Sequence, residues 1–159
     1  MARTVSSTII ASANAQTTTE VYLALLKFSH SSISDLRFVN NTEDITSNSL
    51  VYTAAPFSIS LPPEGQDATP TMRVAIDNVD RSIIGDIRAV SGGSERIACD
   101  VLIVAASDPD TGIATYSGFE MVNVSYNAQS LSFDLSVNSL LTEPFPYDSF
   151  TPTNTPGIF

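Results

Sequence analysis

Eight residues constrain this chain more than any others: Val21-Tyr-Leu-Ala-Leu-Leu-Lys-Phe28 is apolar at nearly every position. A short run of this kind suits a β-strand covered on both faces, so the fold must supply apolar partners above and below it. No stretch of about 18 apolar residues occurs anywhere in the sequence, and no transmembrane helix is expected. The length of 159 residues fits one domain with extensions, large enough for a core without metal or disulfide staples.

Further strands follow from period-two patterning. Leu36 to Val39 is a short strand ended by the turn-forming pair Asn40-Asn41. Polar sequence from Ile45 leads to Leu50-Val-Tyr52, and Phe57 to Leu61 alternates until Pro62-Pro63-Glu64-Gly65 breaks it. Met72, Val74 and Ile76 alternate on one face, and Arg96 to Ala105 is β-branched and apolar on both. Ser107 to Gly112 reads as a turn, and in Phe119 to Tyr126 the expected inward residues are Val122, Val124 and Tyr126. Leu131, Phe133, Leu135 and Val137 alternate strictly with polar residues, after a connection short enough for a hairpin.

Two segments are helical in pattern. Val79, Ile83, Ile87 and Val90 recur at helical spacing, with Asp77 or Asn78 as cap and Gly92-Gly93 as terminator, which predicts a helix over about 79–90. Val5, Ile9, Ile10 and Ala13 predict a shorter amphipathic helix, stopped by the β-branched Thr17-Thr18-Thr19. So short a helix must lie on something, in its own domain or in a neighbouring subunit. The polar residues Thr4, Ser6, Ser7 and Thr8 interrupt any secretory-signal pattern at this end.

The last segment is different again. Pro144, Pro146, Pro152 and Pro156 exclude regular helix and central strand, while Phe145, Tyr147, Phe150 and Phe159 are too apolar for a solvated linker. It is expected to pack against a surface, its own barrel or a neighbouring subunit. The organisation read from the sequence is thus an N-terminal arm (1–19), a β-barrel domain with an inserted helix (20–141) and a Pro/aromatic docking tail (142–159). The fold class is mainly β, an antiparallel barrel or sandwich. Candidate subunit-interface residues are Ile9 and Ile10 in the arm and Phe145, Tyr147, Phe150, Pro156 and Phe159 in the tail.

Charge and composition exclude several functions. Seven Lys and Arg against seventeen Asp and Glu leave a formal charge of −10, and Lys27 is the only lysine. Such a field repels nucleic acid and anionic lipid, so neither is an expected partner. The single cysteine, Cys99, lies among Ile97, Val101 and Ile103 and reads as a small buried hydrophobe. The single histidine, His30, reads as an exposed loop residue without a nucleophile turn beside it. Asp108-Pro-Asp110-Thr-Gly112 lacks the third acid and closing Glu of a calcium loop. Without Trp there is no sugar platform, and Gly92-Gly93 follows a helix rather than opening one to cradle phosphate. No catalytic, cofactor-binding or metal-binding residue is therefore assigned, and no enzyme activity is expected.

The order of short motifs resembles a known group. It begins with Ala13-Asn14-Ala15-Gln16 before the apolar strand, then Arg37-Phe-Val-Asn40-Asn41-Thr-Glu43-Asp44 and Phe57-x-Ile59-x-Leu61-Pro62. Ile76-Asp77-Asn78-Val79-Asp80-Arg81, Ala106-Ser107-Asp108-Pro109-Asp110 and Val124-Ser-Tyr126 follow. It closes on Asn138-x-Leu140-Leu141-x-Glu143-Pro-Phe-Pro146 and Phe150-Thr-Pro152-x-Asn154-x-Pro156-Gly157. Over about residues 13 to 159 this is similar to small structural proteins of tailed-phage tail tips, and distantly to the N-terminal hub domain of the lambda-type minor tail protein L family. The resemblance implies a β-barrel hub domain of tail-tube type, localised in the virion at the tail tip or baseplate after synthesis in the host cytoplasm. Its implied partners are copies of itself in a ring (a trimer first, a hexamer second), a distal tail or tube-end protein, and a central hub or fibre protein. The larger relatives hold an iron–sulfur cluster in a cysteine-rich C-terminal part; with one cysteine, no cofactor is expected here. An acidic lumen would let DNA pass without sticking. Alternative expectations are a receptor- or carbohydrate-binding β module at the tail end and a tail assembly chaperone.

Overall fold

The structure, a computed structural model, describes residues 7–62, 70–77, 85, 87, 89–90, 95–127 and 130–137. One helix, α1 (Ser7–Asn14), precedes β1 (Tyr22–His30), β2 (Ile33–Val39), β3 (Ile45–Ser47), β4 (Leu50–Ala54) and β5 (Phe57–Ser60). Then come β6 (Thr71–Asp77), β7 (Ala98–Ala105), β8 (Asp108–Tyr126) and β9 (Ser130–Val137). The strands form one sheet in the order β3-β4-β2-β1-β7-β8-β9-β6-β5. The mainly β class read from the sequence is what the chain adopts. Seven of the eight described pairings are antiparallel; β2 and β4 run parallel through Phe38↔Thr53 and Val39↔Ala54.

The hydrogen-bonded ladder is open, yet the sheet is rolled. In a flat sheet β4 and β5 would lie about 34 Å apart at about 4.8 Å per strand. They are joined by two residues, Ala55 and Pro56, which span at most about 11 Å. The Ala55 N–H donates to the carbonyl of Val39 on β2 (3.0 Å), and the carbonyl of Pro56 accepts from the Asp77 N–H on β6 (3.0 Å). Leu50 to Ser60 therefore behaves as one bent strand that changes neighbours at a proline. Aromatic packing agrees: Phe28 of β1 and Phe133 of β9 belong to strands separated by β7 and β8, yet their ring centroids are 5.6 Å apart in an edge-on contact.

Inside the roll lies the main core. Leu26, Phe28, Phe38, Met72, Val74, Ile76, Val101, Leu131, Phe133 and Leu135 are all buried there. The inward alternation read for Met72 to Ile76 and for Leu131 to Leu135 holds. Gly85, Ile87, Ala89 and Val90 are helical, with Ile87 buried in this core and Val90 packed against it. The remainder of the helix expected over 79–90 lies outside the described residues. Between Ile87 and the β residues is a gap of about 10 Å³, with apolar walls and room for about one water molecule.

The opposite face of β1 is buried as well, as its continuous apolar pattern requires. Leu23, Leu25, Val39, Tyr52 and Val104 form a second cluster, with Ile45 and Leu102 against it. The cover is the β3–β4 hairpin. Its two-residue turn, Asn48-Ser49, has φ of 49° and 65°, the pair of left-handed conformations that matches strand twist in a tight hairpin.

Three sequence expectations are corrected. β8 begins at Asp108, so the turn expected over 107–112 shrinks to Ala106-Ser107. The register jumps from Ala105↔Asp108 to Val104↔Gly112, so Pro109 to Thr111 form an irregular excursion at the strand's start. At its other end Phe119 and Met121 face the core, whereas Val124 and Tyr126 are exposed. A bulge separates Val122, which pairs with the outward-facing Asp134, from Tyr126, which pairs with Leu131 at the end of β8: the register shifts between Val122 and Ser125, where Asn123 is left-handed with φ 52°. Ile45–Ser47 forms a strand where the sequence reads only as polar; three residues with one apolar side chain carry too little alternation to be recognised.

Phe133→Ala should cost about 3–5 kcal/mol, measured by urea unfolding, because it empties the centre of the roll. Gly118, at φ +78°, has open space where a Cβ would stand, so only backbone strain opposes substitution there. Gly118→Ala should cost about 1–2 kcal/mol and Gly118→Asn less, on the same measurement.

Candidate assembly surfaces

Of the interface residues predicted from the sequence, Ile9 and Ile10 lie on α1; Phe145, Tyr147, Phe150, Pro156 and Phe159 lie outside the described residues. In α1, Ile9 is half-buried and Ile10 is exposed. The Ser12 hydroxyl lies 2.9 Å from the Ile9 carbonyl and 2.8 Å from the Tyr22 hydroxyl, tying the helix to the start of β1. Asn14 Nδ2 donates back to the Ile10 carbonyl (2.8 Å), satisfying an acceptor in the last turn. The helix thus rests on the body at Tyr22 rather than entering the core.

A second exposed region is the tip of the β3–β4 hairpin, and it is clamped to the excursion in β8. Ser47, buried although polar, donates from Oγ to the Pro109 carbonyl (2.7 Å). The Asn48 N–H donates to Asp110 Oδ1 (2.6 Å), and Asn48 Nδ2 to the Asp110 carbonyl (3.3 Å). The acidic run that superficially resembles a calcium loop spends its Asp110 carboxylate on a backbone amide. Among the described residues, no group of three His, Cys, Asp or Glu converges as a metal site.

His30 is not the exposed loop residue expected from sequence. It ends β1 with a side chain only 5% exposed. Its Nδ1 accepts from the Ser32 N–H (3.1 Å), which places the proton of the neutral ring on Nε2. Nε2 faces Glu95 Oε2 at 3.7 Å, and the same carboxylate takes the Ser31 hydroxyl. The hydroxyl is committed to the carboxylate instead of the imidazole, so Ser31 and His30 do not form a nucleophile–base pair. Cys99 is buried as read from sequence; burial, and then the negative charge of Asp100, push its thiol far above the ordinary range.

Charge is arranged in local pairs. Asp35 is shared by Lys27 (3.4 Å) and Arg37 (2.9 Å), which face each other across β1 and β2. Arg96 meets Glu120 at 3.5 Å. On the outer face of β6 and β9, Asp134 accepts from Asn123 Nδ2 (3.1 Å) and Arg73 Nε (3.1 Å). The Asn123 hydrogen bond first, and the Arg73 contact second, hold the Asp134 carboxyl below its ordinary value. All four described Lys and Arg side chains are thus engaged by carboxylates.

These elements make up the candidate surface of a mainly β protein: an external helix, a clamped hairpin and partnered charges around a filled roll. A family model for a domain of unknown function, DUF1833, matches residues 8–150, and the chain belongs to that family, which is phage-associated. No curated protein matches the chain.

The depressed Asp134 carboxyl stabilises the fold above its unfolded value near pH 3.9 and loses that contribution as pH falls through the lower folded value. Asp134→Asn should therefore lower the urea midpoint at pH 7, and the gap from the parent should narrow by pH 3. An unchanged gap at both pH values would show that charge plays no part.

Proposed function

We propose that this chain is a non-enzymatic structural component of a bacteriophage tail tip or baseplate, forming a homo-oligomeric ring that joins the tail tube and its distal ring to a central, receptor-directed hub or fibre. Membership of a phage-associated family over nearly the whole chain carries the reading, and the motif resemblance to tail-tip hub domains narrows it. A trimer is the favoured ring, with a hexamer second.

Physical features support this reading. The roll is filled by side chains such as Phe28, Phe133 and Leu135, so any conduit lies between copies rather than through one. A formal charge of −10 suits a surface that DNA must pass without binding. Rings arise when head-to-tail contacts close, and extensions such as α1 and the Pro/aromatic tail are simple means of making such contacts.

Deletion of residues 142–159 should leave a soluble, folded β domain that is missing from purified tails, as read by circular dichroism and by mass spectrometry of particles. Normal incorporation of the truncated chain would overturn the role given to the tail. Absence of the intact chain from mature virions would instead favour a chaperone.

A further inference from the structure

Several exposed apolar side chains lie towards one end of the sheet. Val21 (55% exposed) and Tyr22 (43%) open β1 beside the β7–β8 turn: the Ala106 N–H donates to the Val21 carbonyl (2.8 Å), and Tyr22 pairs with Ala105. Helix α1 is tied to the same point through Ser12 and Tyr22, and it carries Ile10, 52% exposed, two residues before Ser12. From the other side comes the hairpin tip, fixed to Pro109 and Asp110, with exposed Leu50 opposite Ser47. β1 and β8 are about 10 Å apart across β7, so helix, strand start and hairpin tip lie at the same end of the sheet.

Carboxylates stand beside it. Glu20 accepts from the Ser107 N–H (3.2 Å) and hydroxyl (2.9 Å), and Asp108 and Asp110 follow in the chain. The described cations lie elsewhere, engaged by Asp35, Asp134 and Glu120. Singly exposed apolar residues are ordinary, but a group of them with a rim of one charge marks an interaction site. A two-fold contact with a second copy through this surface would set the acidic rim against itself. Like charges brought together in this way cost affinity.

We propose that this end of the molecule docks a different protein, one presenting an apolar anchor ringed by Lys and Arg. The inference goes beyond the ring reading and does not depend on it, because it concerns the charge of a non-identical partner.

The test uses the full chain, labelled for amide NMR, with two amphipathic helical peptides as probes: one of Leu and Lys, one of Leu and Glu with the same apolar face. The Leu/Lys peptide should shift the amides of residues 20–23, 47–51 and 105–110, with affinity falling as salt rises, and the Leu/Glu peptide should not. Val21→Ser/Tyr22→Ser should weaken binding at least tenfold, and Asp108→Asn, which leaves the apolar surface intact, at least twofold. The proposal is overturned by shifts mapping elsewhere, by equal binding of both peptides, by no binding of the Leu/Lys peptide at millimolar concentration, or by unchanged affinity in both variants. Shifts of the same amides on raising the protein concentration alone would assign the surface to a second copy and overturn it too.

Discussion

Two adjacent backbone groups hold the architecture together. The Ala55 N–H is bound to Val39 and the Pro56 carbonyl to Asp77, so a single peptide unit's neighbours connect strands that stand near opposite ends of the ladder. Proline suits this joint: it has no N–H to leave unpaired where the strand changes partners, and it favours an extended residue before it. The nine-stranded sheet is rolled because these two bonds leave it no other shape. Rolling then brings Phe28 against Phe133 and creates an interior to fill.

The second dependence runs outward from β1. Its odd positions, Leu23 and Leu25, would face water if the roll were the whole molecule. The β3–β4 hairpin prevents that by lying over them, with Tyr52 and Ile45 as its apolar contacts and Asp110 and Pro109 as its clamp. Lys27, the next odd position, pairs with Asp35. Cover and charge therefore divide one strand face between them, and the hairpin tip is carried to the same end as α1.

Much of the fold was legible because burial imposes a period. Met72-Val74-Ile76 and Leu131-Phe133-Leu135 face one core and alternate with polar residues, while β1 is covered twice and shows no alternation. Reading failed where local backbone geometry overrides the period. The bulge at the left-handed Asn123 puts Val122 opposite Asp134 and Tyr126 opposite Leu131, so Val122, Val124 and Tyr126 do not share the single inward face their alternation suggested. Long-range closure was equally invisible, since nothing in Ala55-Pro56 names Val39 or Asp77. His30 misled for a related reason: its ring meets Glu95, distant in sequence, and the backbone amide of Ser32, neither of which a local motif announces. Of the candidate surface, Ile10 was recognised from its apolar type, whereas Val21 and Tyr22 were absorbed into the buried strand they begin. The carboxylate rim requires the β7–β8 turn to meet β1 and is a property of topology rather than of any local motif.

Cys99 has a practical consequence. It is the chain's only sulfhydryl, it is buried in the main core, and its thiolate is strongly disfavoured. Thiol reagents act on the thiolate, so the folded protein should be nearly silent towards maleimides and other alkylating labels. A cysteine introduced at an exposed position would then carry a spin label, fluorophore or cross-linker against almost no background, with the native core left untouched. Distances between copies, and between this chain and its neighbours in a particle, can be measured on a molecule that needs no cysteine removed first.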